Sequence, residues 1–231
     1  MSPDQIDLFN VSEAVNAPAE DFDPALIPTD ASIPIPAGTY STMEELKGPC
    51  NSCTRCSLGA TRTNAVIGRG NPQADILVIG EGPGQTEDET GLPFVGKAGQ
   101  LLEKILAAVK LDTEKDVYIA NIVKCRPPGN RKPSAPEMKS CMPYLLEQVR
   151  IMDPKIVLLM GATSVQGLLG EKTGITKIRG HWREWEGRFC MPMLHPAYLL
   201  RNPSRKEGSP KWQTWQDIQA VRAKYDEICQ G

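Results

Sequence analysis

The 231-residue sequence is short of several things, and each shortage narrows what the chain can be. No apolar run approaches the roughly 20 residues that cross a bilayer, so no membrane contact is expected. The N-terminus lacks the basic-then-apolar order of a secretory signal, and a cytoplasmic protein is expected. No G-x-x-x-x-G-K-S/T occurs, nor any G-x-G-x-x-G, so neither a P-loop nor a dinucleotide fingerprint is supported. Cysteine lacks an even count: seven thiols speak against a fully paired disulfide framework. No internal repeat is visible.

Basic residues are missing from one region altogether. Residues 1–46 carry nine acids and no Lys or Arg, whereas the rest of the chain holds all 26 bases against the other 19 acids, a local charge of +7. The overall charge of −2 therefore hides a basic body that a phosphate backbone would sense. The acidic segment also contains Pro3, Pro18, Pro24, Pro28, Pro34 and Pro36 and little periodicity. It is expected to be a disordered tail over 1–46, preceding a single domain over 47–231.

What is present in the body is an alternation. Short apolar runs at Asp75–Ile79, Val117–Asn121, Ile156–Met160 and one ending at Met193-Leu194-His195 read as buried strands. Between and after them, apolar residues recur at helical spacing over 101–109, 136–149, 163–169 and 212–228. This order predicts an α/β fold, a three-layer α/β/α sandwich around a central, mainly parallel four-stranded sheet.

Unusual residues collect at the strand ends. Gly80-Glu-Gly-Pro-Gly84 follows the first strand, Asn121 ends the second, Gly161 follows the third and His195-Pro196 ends the fourth. Open α/β sheets bind ligands beyond the carboxyl ends of their strands, so Glu81, Asn121 and His195 should share one rim. Each has a plainer reading alone, as a turn cap, a satisfied loop residue or a solvated acid. The acids Glu81, Glu87, Asp88 and Glu89 around the glycine turn would repel a pyrophosphate, which points to a ligand other than phosphate there.

Cysteine spacing points to metal: Cys50-x2-Cys53-x2-Cys56 in an apparently intracellular chain suits thiolate ligands more than a disulfide. Four thiolates serve a structural zinc and an iron–sulfur cluster equally well.

Together the motifs resemble the family 4 uracil-DNA glycosylases, the iron–sulfur type. The resemblance rests on Gly80-Glu-Gly-Pro-Gly84, Glu87-Asp88, Gly91-Leu-Pro-Phe-Val-Gly96, Asn121-Ile-Val-Lys-Cys125-Arg-Pro-Pro and His195-Pro-Ala-Tyr-Leu-Leu-Arg201, and runs from about Cys53 to Asp217. It implies a 4Fe-4S cluster on Cys53, Cys56, Cys125 and Cys141, stapling the segment before the first strand to the sheet. Cys50 is the doubtful member, and Cys190 and Cys229 read as plain small hydrophobes. Ala197, where Ser is frequent, and the extra Cys50 depart from the commonest pattern.

The resemblance also implies the chemistry of DNA repair. Uracil is flipped from DNA and stacks on Phe94, beside the Gly82 turn. The Asn121 amide pairs with its O4 and N3–H, and Glu87 crowds the position of the thymine methyl. Glu87 has a plainer reading as an acid at a helix N-terminus. His195 would stabilise charge on uracil O2, while Glu81 would position or deprotonate water. The segment 196–203 reads as a projecting loop in which Leu199 or Leu200 enters the vacated stack. Beside it Arg201, Arg205, Lys206 and Lys211, together with Lys124, Arg126, Arg131 and Lys132, would meet phosphates.

A related branch bonds covalently to its product through a histidine near the cluster. Residues 126–141 contain no histidine, so turnover is expected instead. In the tail, Gln5-Ile-Asp-Leu-Phe9 looks like the peptide by which bacterial repair proteins dock on the sliding clamp. The expected state is a monomer, cytoplasmic and nucleoid-associated. Rival readings are a catalytically silent DNA-binding module and a zinc-stabilised enzyme acting on another nucleoside.

Overall fold

Five-residue runs of Ile, Val, Leu and Met are long enough for a strand and too short for a helix, and they can hide every side chain only if both faces are covered. In the computed structural model, which describes residues 35–230, the strands β2 (Ile76–Gly80), β3 (Val117–Asn121) and β4 (Ile156–Met160) are buried at every position. With β6 (Arg188–Met193) they form the parallel centre of the sheet.

Two short strands complete it: β1 (Arg69–Gly70) and β5 (Arg183–Trp185) pair antiparallel at opposite edges, giving the order β1-β3-β2-β4-β6-β5. The sheet is thus six-stranded rather than four-stranded. Strands of two and three residues with charged members carry no apolar alternation, which is why the sequence pattern passed over them.

Helices cover both faces. They are α1 (Lys47–Ser52), α2 (Gln85–Thr90), α3 (Lys97–Ala108), α4 (Ala135–Met152), α5 (Ala162–Leu169), α6 (Ile175–Ile178), α7 (Pro196–Arg201) and α8 (Pro210–Gln230). Leu77, Ile79, Val157 and Leu159 point into one core with α4 and α5, while Ile76, Val78, Ile156 and Leu158 point into the other with α3 and α8. The period of two along each strand sends alternate residues to opposite layers. Among the described residues, no helix is long and apolar enough to cross a membrane.

The domain begins earlier than position 47. Ile35, Tyr40, Met43 and Leu46 are buried in the same core as α4. The Glu147 carboxylate of α4 accepts from the Gly38 and Tyr40 N–H groups at 3.0 and 3.3 Å. Residues 35–46, expected as part of the acidic tail, are therefore packed structure. Apolar residues separated by prolines and glycine show neither period, so the sequence offered no pattern for them. The Gln5–Phe9 motif lies outside the described residues.

Candidate nucleobase site and thiol pocket

The parallel register brings the rim together. Gly80 pairs with Asn121 and Met160 with Met193, so the residues that leave these strands emerge at one edge. Gly80 is dictated by the crowding there: a Cβ would collide with Asn121 Oδ1 and come within 2.6 Å of the Phe94 ring. The Phe94 and His195 rings lie 5.8 Å apart between centroids, tilted by 32°. Glu81 turns toward the start of α5, where its Oε2 accepts from the Thr163 hydroxyl. Amide, aromatic ring and imidazole thus meet at the strand ends, and the Glu81 carboxylate of the same rim is anchored by Thr163, buried and unread in the sequence.

Asn121 is 1% exposed, and its Oδ1 is buried without a hydrogen-bond partner. An unpaired buried acceptor costs about 1–3 kcal/mol. An arriving donor would recover that cost.

His195 is the N-cap of α7, and its Nδ1 accepts from the Ala197 N–H at 3.1 Å. Nδ1 must then be unprotonated, which places the ring's proton on Nε2. Burial, and the Arg201 charge behind it, pull the imidazole pKa down to about 4. At neutral pH the group is a neutral donor.

Phe94 holds a left-handed backbone, φ 53°, that a non-glycine residue adopts only under constraint. Arg69 supplies part of it, donating to the Pro93 and Phe94 carbonyls at 2.8 and 3.1 Å while bonding Glu103 at 2.7 Å. Glu87 supplies the rest: Oε1 accepts from the Val95 and Gly96 N–H groups at 3.0 and 2.8 Å, and Oε2 from Gly84 N–H at 3.1 Å. Glu87 therefore caps the start of α2 through the Gly84 N–H and ties the glycine turn to the Phe94 loop. Gly82 sits in that turn where a Cβ would press on Val123 at 2.7 Å.

The DNA-facing expectations need correction. Residues 196–201 form a helix, with Pro196 at its first position and His195 as cap, so they are not a loop. Leu199 faces inward at 1% exposure and cannot leave the core, whereas Leu200 is 43% exposed and Arg201 is exposed beside it. Proline directly after a capping residue is itself a helix-start signal, and it would have separated the two leucines. Arg205 and Lys206 are exposed as well. Lys124 is not a phosphate contact: it is 2% exposed. Arg131 is engaged with Glu137 at 2.7 Å, which holds that carboxyl at about 2.

Behind the rim lies a second pocket. It is lined by Cys50, Cys53, Cys56, Cys125 and Cys141, brought from α1, the turn after it, the segment that follows β3, and α4. The four expected ligands are together, with Cys50 as a fifth sulfur beside them. Donors already face them: Arg62 reaches Cys125 Sγ at 3.4 Å and the Lys124 N–H reaches Cys141 Sγ at 3.2 Å.

Burial pushes the Cys141 thiol up to about 12 and raises Cys50, Cys56 and Cys125. The same burial lowers Lys124 to about 8, opposed by the charges of Cys141, Cys50 and Cys125. Its ammonium bonds two neutral oxygens, Asn121 O at 2.7 Å and Gln148 Oε1 at 2.5 Å. A buried cation flanked by sulfur and neutral acceptors fits a site for thiolates bound to metal. Among the described residues, no three His, Cys, Asp or Glu side chains close on a single ion. Cys190 is buried in the core as expected, whereas Cys229 is exposed.

Comparison with known proteins agrees with the geometry. A model of the uracil DNA glycosylase superfamily matches residues 67–219. The chain belongs to that superfamily. A type-4 uracil-DNA glycosylase of Thermotoga maritima is 45% identical over 166 residues, 71% of this chain and 86% of the relative. One from Archaeoglobus fulgidus is 37% identical over 174 residues, 72% and 87% of the two chains. A type-5 uracil-DNA glycosylase of Pyrobaculum aerophilum is 31% identical over 153 residues, 59% of this chain and 67% of that one. Within the superfamily the chain joins the type-4 branch.

Proposed function

We propose that the protein is a DNA repair glycosylase that flips uracil out of DNA and hydrolyses its N-glycosidic bond, leaving an abasic site. The observation that carries this reading is the buried, unpartnered Asn121 Oδ1 beside the Phe94 ring and the His195 donor.

Phe94 stacks on the extruded ring. Asn121 Oδ1 accepts from N3–H and its amide N–H donates to O4, a pattern that cytosine reverses. The loop closed by Glu87 forms the wall against a thymine methyl. As the C1′–N1 bond breaks, its electron pair passes to uracil, and the neutral His195 Nε2–H donates to the O2 that gains charge. Thr163 fixes one oxygen of Glu81, leaving the carboxylate to orient water toward C1′, take its proton and favour the cationic sugar. Leu200 fills the gap left in the stack, with Arg201 and its basic neighbours on the phosphates.

Cys53, Cys56, Cys125 and Cys141 would hold a 4Fe-4S cluster, which would supply a structural staple between the segment after α1, the segment after β3, and α4. Four thiolates would also suit one zinc ion, and the resemblance to the iron–sulfur type of the family is what favours the cluster. The protein acts on uracil-containing DNA as a turning-over monomer in the cytoplasm, at the nucleoid. The catalytic unit includes residues 35–46, and Gln5–Phe9 in the acidic leader docks on the sliding clamp. Deleting residues 5–9 should abolish clamp binding.

The test uses an oligonucleotide with one U·G pair, incubated with brown purified protein and then alkali. Cleavage at the uracil is expected; an intact strand at enzyme excess overturns the reading. Salt-dependent binding without release of base would mark a silent DNA-binding module instead.

A further inference from the structure

The mechanism leaves one buried charged group unused. Lys124 comes three residues after Asn121, and its aliphatic stem carries the ammonium back to the Asn121 carbonyl at 2.7 Å. That carbonyl lies past the end of the edge strand: β1 pairs with β3 only at Tyr118 and Ile119. The lysine thus supplies the hydrogen bond that a neighbouring strand would have given.

On its other side the ammonium bonds Gln148 Oε1, and Gln148, fully buried on α4, donates onward to Ile67 O at 2.9 Å. The backbone of the same lysine faces the sulfurs, its N–H donating to Cys141 Sγ at 3.2 Å. One residue therefore touches the strand end that carries the base-reading amide and the wall of the thiol pocket.

From this geometry we infer that Lys124 is a positioning residue, fixing the Asn121 amide for uracil and linking its placement to the occupied thiol pocket. The inference rests on the glycosylase and cluster readings above. The charge of Lys124 adjoins the thiolate-bound group and holds Asn121 in register through its carbonyl. Neither contact requires substrate, so the alignment exists before DNA arrives.

Lys124→Met removes charge and donor, and Lys124→Gln removes the charge while keeping a donor. In iron-loaded protein, Lys124→Met should lower kcat/KM for uracil by about 10- to 100-fold, chiefly through KM. It should also narrow the discrimination of uracil from cytosine and move the cluster midpoint potential to more negative values. Lys124→Gln should recover most of the kcat/KM while keeping the shifted potential. Should Lys124→Met purify without iron, Gln148→Leu carries the test, since it loosens the same ammonium without adjoining a cysteine. Its expected effect is the same loss in KM, smaller in size.

Unchanged kcat/KM and discrimination overturn the inference, as does lost activity with an unmoved potential, which marks mere structural damage. Wild-type protein that binds iron but spares uracil sinks the glycosylase reading and this inference with it. Active wild type with an indifferent Lys124→Met sinks the inference alone.

Discussion

The nucleobase rim and the thiol pocket meet at the end of β3, yet they are unfinished in different ways. At the rim a single amide oxygen lacks a partner, a deficit of about 1–3 kcal/mol that a folded protein tolerates between turnovers. In the pocket a fully buried ammonium faces thiols and neutral oxygens, and the cost of an uncompensated charge is several times larger. The first deficit suits a ligand that comes and goes. The second suits a resident group, present from folding onward.

The contrast breaks most visibly at Asn121. Asn121→Ala should lower uracil excision by about 10³-fold or more, because recognition of a hydrogen-bonding edge collapses when the matching groups are gone. Single-turnover rates on a U·G duplex measure this, and the melting temperature should stay within a few degrees of wild type. His195→Ala comes next, with a loss of about 10²–10³-fold from one missing donor to a developing anion.

His195 also fixes a pH dependence. Its folded pKa is depressed to about 4 from the ordinary 6.5, so the native state favours the neutral ring. As pH falls below about 6.5 the unfolded chain gains a proton that the native ring resists, and stability declines until about 4. On this group's account kcat should be level from pH 9 to 5. It should fall as the pH passes about 4, where protonation of Nδ1 breaks the bond from Ala197.

The pocket answers to different variants. Cys125→Ser should yield protein with little iron whose melting temperature drops by about 10 °C, since a ligand set that joins three elements stabilises the fold directly. Iron content and calorimetry together check it.

The smallest effect separates neighbours on α7. Leu200→Ala should reduce excision from duplex DNA by about 3- to 10-fold and spare single strands, where no stack needs filling. Leu199→Ala should instead cost about 2–5 kcal/mol of stability, as for other buried leucines.

What the sequence disclosed follows the same division. The strand runs, the glycine turn and the trio Glu81, Asn121 and His195 were legible because buried parallel strands write continuous apolar runs and ligands gather at their ends. The meeting of Cys53, Cys56, Cys125 and Cys141 in one pocket was legible through family resemblance, although spacing alone could not exclude Cys50 or zinc.

Phase and burial were not legible where elements are short. The six residues of α7 span less than two turns and show no apolar period, so only the helix start marked by His195-Pro196 could have told the inward Leu199 from the outward Leu200. Lys124 reads as a phosphate contact in a basic stretch, and only its contacts reveal a buried strut. Thr163 acts through a hydrogen bond to a residue 82 positions away and Arg69 through two to carbonyls 24 and 25 positions away, which no local pattern records.

The central claim is that one uracil ring fills the space among Phe94, Asn121 and His195. Crystals soaked with free uracil test it most directly. The ring should lie against Phe94, with O4 and N3 on the Asn121 amide and O2 toward His195 Nε2. A uracil bound elsewhere, or seated there with its O4 edge turned from Asn121, would contradict the account.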